Sequence, residues 1–201
     1  MRLADARKDQ YRRLAKDHGL RARSAYKLQQ LNESYRILTK GSKVVDIGCA
    51  PGGWLQVATR LVGPTGTVVG IDLKPVEPVP GATILQGSIE DPHMHHKISE
   101  LLGGKADVVL SDLAPNVSGI WDVDQARQIS LTQAALRFAR GVLRQGGSAV
   151  LKVFEGEMLG ELKGELKNNF KSVHLSKPSA SRQESSELYA VCMEFIHSTD
   201  S

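Results

Sequence analysis

One lysine interrupts an otherwise apolar run at Ala149-Val-Leu-Lys152-Val-Phe154. A buried ammonium without a partner is expensive, so Lys152 either lies at a surface-facing strand end or works on a substrate beside a carboxylate. Ser111-Asp112-Leu-Ala-Pro115-Asn116 supplies that carboxylate, with Pro115 holding the chain extended as it leaves a second strand. An amine and a carboxylate on one rim suit proton transfer at a hydroxyl. A third constellation is Asp46-Ile-Gly48-Cys-Ala-Pro51-Gly52-Gly53-Trp54. Its glycines let backbone approach a ligand at the carboxyl end of a sheet. The spacing is neither G-x-G-x-x-G nor a loop ending in G-K-[ST], which disfavours a dinucleotide or a triphosphate. Nineteen residues after Gly53, Asp72 is positioned to accept hydrogen bonds from a ribose. A nucleoside pocket without a phosphate cradle points to S-adenosylmethionine. Asp46 then either holds the ammonium of its methionine tail or is an ordinary turn residue.

These groups need a sheet to bring them to one rim. Lys43–Gly48, Thr67–Asp72, Ala82–Gln86, Ala106–Asp112 and Ser148–Phe154 read as strands buried on both faces. Helices are expected over Trp54–Leu61, Asp91–Leu102 and Asp124–Leu143, and near Glu155–Asn168. This alternation predicts an α/β fold with a doubly wound, mostly parallel, Rossmann-like sheet. Ser172–Leu175 and Leu188–Phe195 bring the strands to seven, and the link between them is too short for a helical crossover. The last strand is therefore expected to run antiparallel. Ahead of the sheet, Ser24–Leu38 reads as an amphipathic helix.

Charge divides the chain of 201 residues. Through Lys27 it carries nine basic and three acidic residues, a charge of +6, and the remainder is −2. A basic end suits a polyanion, although charge alone equally describes a solvated helix. The division predicted is a basic helical appendage over 1–38, suited to a polyanion, and an S-adenosylmethionine-binding domain over 39–197. No apolar run approaches the ~20 residues of a membrane span, and the first residues lack the apolar core of a secretory signal. Two unpaired cysteines argue against a disulfide scaffold. His93, His95 and His96 cluster on what reads as a solvated face, and no metal is expected. The expectation is a soluble, cytoplasmic monomer.

Five motifs carry a resemblance spanning Gly19 to Phe195. They are Gly19-Leu-Arg-Ala-Arg-Ser-Ala-Tyr-Lys27-Leu, Val45-Asp-Ile-Gly-Cys-Ala-Pro-Gly-Gly-Trp54, Ser111-Asp-Leu-Ala-Pro-Asn116, Leu151-Lys-Val-Phe-Glu-Gly156 and Lys177-Pro-Ser-Ala-Ser-Arg-Gln-Glu-Ser-Ser-Glu187-Leu-Tyr189. Together they resemble the FtsJ family of RNA ribose 2′-O-methyltransferases, and within it those acting on a uridine of large-subunit rRNA. The resemblance implies a catalytic set of Lys27, Asp112, Lys152 and Glu187. It implies cofactor residues Gly53, Trp54, Asp72 and Asp112, in a site that Asp46, Gly48, Pro51, Gly52, Leu73 and Ser88 complete. Ser88 departs from the family, which commonly has Asp after Gln-Gly; a hydroxyl or a backbone carbonyl could still accept from the adenine amino group. Cys49 replaces a small residue and is read as packing.

Methyl transfer to a hydroxyl requires alignment and a poised base. Lys152 takes or shares the 2′-hydroxyl proton, while Asp112 and Glu187 orient the two lysines. The target base leaves its stack, and Trp121 either receives it or packs its own loop. A non-catalytic RNA-binding module is opposed by the filled catalytic set. A small-molecule O-methyltransferase is opposed by the basic N-terminus and the polar stretch Ser176–Ser186. Methylation of tRNA is the alternative within the family.

Overall fold

The computed structural model describes residues 3–182 and 184–196. Arg2, Gln183, residue 197 and the side chains of Arg7 and Lys8, which fall within the basic segment, the motif from Lys177 to Tyr189 or the predicted domain boundary, lie outside the described residues or side chains.

Helices α1 (Leu3–Asp17) and α2 (Ala25–Tyr35) precede strand β1 (Lys43–Ile47). Then follow α3 (Gly53–Val62), β2 (Thr67–Asp72), β3 (Ala82–Gln86), α4 (Met94–Leu102) and β4 (Ala106–Ser111). The chain continues through α5 (Trp121–Val142), β5 (Leu143–Phe154), α6 (Leu159–Lys167), β6 (Phe170–Ser176) and β7 (Glu187–Phe195). The seven strands form one sheet in the order β3-β2-β1-β4-β5-β7-β6. Strands β1 to β5 pair in parallel, while β7 runs antiparallel between β5 and β6. The doubly wound fold with an antiparallel last strand is the one expected from the alternation of strands and helices.

Apolar side chains fill both faces of this sheet. Val45, Ile47, Val109 and Leu151 pack beneath α4, α5 and α6, against residues such as Ile98, Leu136 and Leu162. Val44, Val108, Val150 and Tyr189 pack beneath α2 and α3, against Leu28, Leu31 and Leu55. Helix α2 therefore contributes to the core of the sheet.

Several boundaries differ from those read in the sequence. Helix α2 ends at Tyr35 because Arg36 turns left-handed (φ 51°) and the Asn32 side chain accepts from the Leu38 amide. Helix α4 begins at Met94, after Pro92 and an Asp91 side chain that accepts from the His93 amide. Helix α5 begins three residues earlier than Asp124, and Asp122 and Asp124 occupy its first turn, where carboxylates favour the positive end of the helix. Strand β5 begins at Leu143, pairing with Ala106 before a register shift. His95 does not join a solvated face: its ring stacks on Phe138 at 4.6 Å.

Candidate active site

Parallel strands deliver their carboxyl ends to one rim. There β1 ends in a turn of unusual backbone, with Gly48 at φ 71° and Gly52 at φ 106°. Both values lie in the region that favours glycine. A side chain at Gly52 would also meet Arg21 Nη1 at 2.9 Å and Val79 Cγ2 at 3.0 Å. Arg21 closes this turn from outside, donating to the carbonyls of Pro51 (3.1 Å), Glu77 (2.6 Å) and Pro78 (2.6 Å). These three carbonyls hold its guanidinium against the protein.

Asp46, Gly48, Pro51, Gly53, Trp54 and Asp112 line one small cavity over the turn. Asp46 is 1% exposed, and neither carboxylate oxygen has a hydrogen-bond partner among the described residues. Burial, then the charges of Asp112 and Asp72, push its carboxyl well above the usual range. An arriving cation would relieve both the missing hydrogen bonds and the repulsion. Asp72 closes β2 with its oxygens accepting from the Ala50 amide at 2.9 Å and the Lys74 amide at 2.8 Å. Each oxygen keeps a second lone pair for a ribose hydroxyl. Burial followed by Asp46 raises the Cys49 thiol to about 12, which makes it a packing group.

Trp54 is buried, donating from Nε1 to the Ser24 carbonyl at 2.8 Å and leaning on Tyr189 at 5.7 Å. Leu73 and Ser88 stand outside the cavity. Leu73 is exposed just past Asp72, and Ser88 follows β3, the strand paired with β2. The Ser88 hydroxyl accepts from the Glu90 amide at 3.1 Å. The donor set thus fits a nucleoside carrying a cationic tail: two carboxylates at the right ends of β1 and β2, and a glycine turn between them.

The four residues of the expected catalytic set meet beside this turn. Lys152 is 7% exposed, and its Nζ lies 2.7 Å from Asp112 Oδ1 and 3.4 Å from Glu187 Oε2. It also donates to the Asp112 carbonyl at 3.0 Å. Lys27 comes from α2 and pairs with Glu187 Oε1. Register explains the convergence: Phe154 faces Glu187 and Lys152 faces Tyr189 across β5 and β7. Burial opposes the charge on Glu187, but Lys27 and Lys152 outweigh it and hold its carboxyl below the usual range.

Sequence reasoning assigned no role to Tyr189, Gln128, Thr132 or Ser181. Tyr189 donates to Asp112 Oδ1 at 2.6 Å and accepts from Lys27 at 3.3 Å. Ser181 donates to Glu187 at 3.1 Å. Gln128 donates to the carbonyls of Lys152 (3.0 Å) and Leu113 (3.2 Å), and Thr132 donates to that of Lys152 at 2.8 Å. The signal was the spacing: Gln125, Gln128 and Thr132 recur at i, i+3 and i+7 on the buried stripe of α5. Likewise, Tyr189 follows Glu187 by two, the period of one sheet face.

A basic groove opens nearby, lined by Arg12, Lys16, Arg21, Arg23 and Arg182. Burial and then Arg182 lower the Arg23 guanidinium from its ordinary value, a sign of crowded positive charge. Among the described residues, no group of three or more His, Cys, Asp or Glu could hold a metal, and no helix is long and apolar enough to cross a membrane.

Fold and rim together define an α/β methyltransferase. The chain belongs to the FtsJ-like methyltransferase family, whose model matches residues 20–195. It is similar to ribosomal RNA large subunit methyltransferase E of Methanothrix thermoacetophila, with 53% identity over 94% of this chain and 73% of that protein. The protein of the same name from Nitrosopumilus maritimus is 50% identical over 98% of this chain and 100% of its own length. A crystal structure from Plasmodium falciparum, described as a ribosomal RNA methyltransferase, superposes with a TM-score of 0.78 at 33% identity, covering 87% of this chain and 98% of that one.

Proposed function

We propose that this enzyme transfers a methyl group from S-adenosylmethionine to a ribose 2′-hydroxyl of RNA, a uridine of large-subunit rRNA being the target. The observation that carries the reading is the buried Lys27–Glu187–Lys152–Asp112 network opening beside the glycine turn. The rRNA substrate is supported by the similarity to relatives named for large-subunit rRNA methylation.

Bound in the turn, S-adenosylmethionine supplies an electrophilic methyl on a sulfonium. Asp46 would hold its ammonium, Asp72 its ribose hydroxyls, and the Ser88 region its adenine edge. Gly48, Pro51, Gly52, Gly53 and Trp54 shape the wall, with Leu73 at its outer end. The ion-paired Lys152 must first lose a proton to solvent; its neutral Nζ then takes the proton of the incoming hydroxyl as the oxygen bonds to the methyl carbon and the carbon–sulfur bond breaks, leaving a neutral thioether. Asp112 grips that nitrogen through both a carboxylate oxygen and its main-chain carbonyl, which fixes the direction in which the amine points. Glu187 pairs with both Lys27 and Lys152 and couples the positions of the two amines. Positioning of this kind is the main protein contribution to a displacement at carbon.

Residues 39–197 would carry the methyl-transfer domain. Residues 1–38 would act as its RNA-binding appendage, contributing Lys27 to the reaction centre and the Arg12, Lys16 and Arg23 side of the groove to phosphates. A cytoplasmic location fits this substrate.

The experiment offers purified protein and labelled S-adenosylmethionine to undermodified large ribosomal subunits, isolated rRNA and tRNA in parallel, then maps the methylated nucleosides. The expected product is 2′-O-methyluridine in large-subunit rRNA. Methylation confined to tRNA would overturn the substrate assignment.

A further inference from the structure

The loop between β4 and α5, with the first residue of that helix, places large apolar side chains in water at the edge of the reaction centre. Val117 is 76% exposed, Ile120 62% and Trp121 47%. We propose that this rim is a stacking platform for an unpaired nucleobase next to the target ribose, with Trp121 as the ring that receives it. The proposal rests on the RNA methyltransferase reading and adds the contact that presents the substrate.

Trp121 stacks on Phe154 with ring centroids 6.2 Å apart and planes 15° from parallel. Phe154 lies two residues past Lys152 on β5. Side chains two apart on a strand share a face and sit about 7 Å apart. The aromatic pair is therefore anchored on the face of β5 that presents Lys152, and the loop bearing Trp121 departs from Asp112. Nearly half of Trp121 remains open beyond its contact with Phe154.

The loop is held in place. The Asp124 carboxylate accepts from the Ser118 amide (2.7 Å), the Ser118 hydroxyl (2.8 Å) and the Gly119 amide (3.1 Å). Arg127 donates to the Asn116 carbonyl at 3.2 Å. Both ends of the exposed segment are thus tied to α5, which presents Trp121 without an ordering step on binding.

A nucleobase is the occupant that the neighbouring chemistry selects. Lys152 lies recessed at 7% exposure, so one ribose must be brought in singly, and its base or a neighbour must leave its stack. Every base offers a flat face to an aromatic ring regardless of sequence. A protein partner covering the same rim would compete with the RNA for the mouth of the site.

The test compares wild type, Trp121→Ala and Trp121→Phe on a uridine-containing single-stranded oligoribonucleotide and on the same backbone with abasic sites flanking the target. Trp121→Ala should raise the KM for RNA about tenfold, the scale of one lost base–aromatic stack. Melting temperature and donor affinity should stay at wild-type values, and Trp121→Phe should restore most of the loss. RNA should quench wild-type tryptophan fluorescence, more weakly with the abasic strand, and leave the signal of Trp121→Ala unchanged. An unaltered KM for Trp121→Ala on RNA that the wild type methylates would overturn the platform alone. A defect seen only with assembled subunits would overturn it in favour of a protein contact. A wild-type protein that methylates no RNA would instead remove the reading beneath it.

Discussion

The Tyr189 phenol donates to Asp112 Oδ1 at 2.6 Å, and that same oxygen lies 2.7 Å from Lys152 Nζ. Burial, then the charges of Asp112 and Glu187, raise the phenol well above its ordinary value and keep it a donor. Asp112 is thereby held from two directions on one atom, so the lysine it grips has little freedom to swing. Tyr189→Phe should keep the fold while lowering stability by about 1.5–3 kcal/mol, the scale of a hydrogen bond to a charged group. Methyl transfer should slow with the KM for donor unchanged. Urea unfolding and steady-state kinetics together check this; an unchanged kcat would reduce Tyr189 to packing.

Lys152→Ala should remove the base while sparing the glycine turn. A positioned acid or base contributes about 10²–10⁴ in rate. Single-turnover assays should register that loss, and calorimetry should return a donor affinity close to wild type. Normal turnover by the variant would reassign the proton to another group.

Asp46→Asn separates stability from binding. A carboxyl whose folded value lies above its unfolded value of about 3.9 favours the fold only while protonated, and weighs against it as pH rises past the unfolded value. Replacing Asp46 should therefore benefit the fold more at pH 8 than at pH 4, and donor affinity should fall at pH 8. The buried amide adds a cost that is independent of pH, so the diagnostic is the difference in melting-temperature change between the two pH values. Equal changes at both would contradict a raised Asp46.

Glu187 has the opposite sign. Its folded value is depressed, so the stability it lends is complete above the unfolded value of about 4.3 and is lost as pH falls through the folded one. Glu187→Gln leaves Lys27 and Lys152 short of a buried counter-charge and should destabilise by about 3 kcal/mol near neutrality. The gap between variant and wild type should narrow in acid. A gap of constant size from pH 7 to pH 3 would argue against the depressed carboxyl.

Strands β1, β2 and β4 were legible as short apolar runs buried on both faces, and the rim residues because they stand where those runs stop. Strand β3, expected to be buried likewise, lies at the sheet edge and is only partly covered, with Thr83 and Gln86 exposed. Lys152 is conspicuous as the one charge between Ser148 and Phe154, and Asp72 by its distance from Gly53. What the sequence concealed was pairing across the sheet. Nothing local to Tyr189 says that β7 lies between β5 and β6, and without that insertion its hydroxyl has no reason to find Asp112. Arg21 hid its backbone role for the same reason. Its partners, Pro51, Glu77 and Pro78, are carbonyls distant in sequence, and a guanidinium bound to backbone looks in composition like one waiting for phosphate.

That distinction decides which cations should be altered to test the RNA face. Charge reversal at Arg21 would loosen the glycine turn and confound any loss of RNA binding. Arg12 and Lys16 are exposed on α1 and line the same groove, so Arg12→Glu with Lys16→Glu changes the field and leaves the turn alone. Each phosphate contact to a single strand contributes about 0.7 to the slope of log affinity against log salt. If both cations meet phosphates, the double variant should weaken RNA binding and reduce the magnitude of that slope by about 1.4. Its melting temperature and donor affinity should match wild type, because neither residue touches the sheet rim. A wild-type salt slope in the double variant would move the RNA path away from this groove while leaving the catalytic network as assigned.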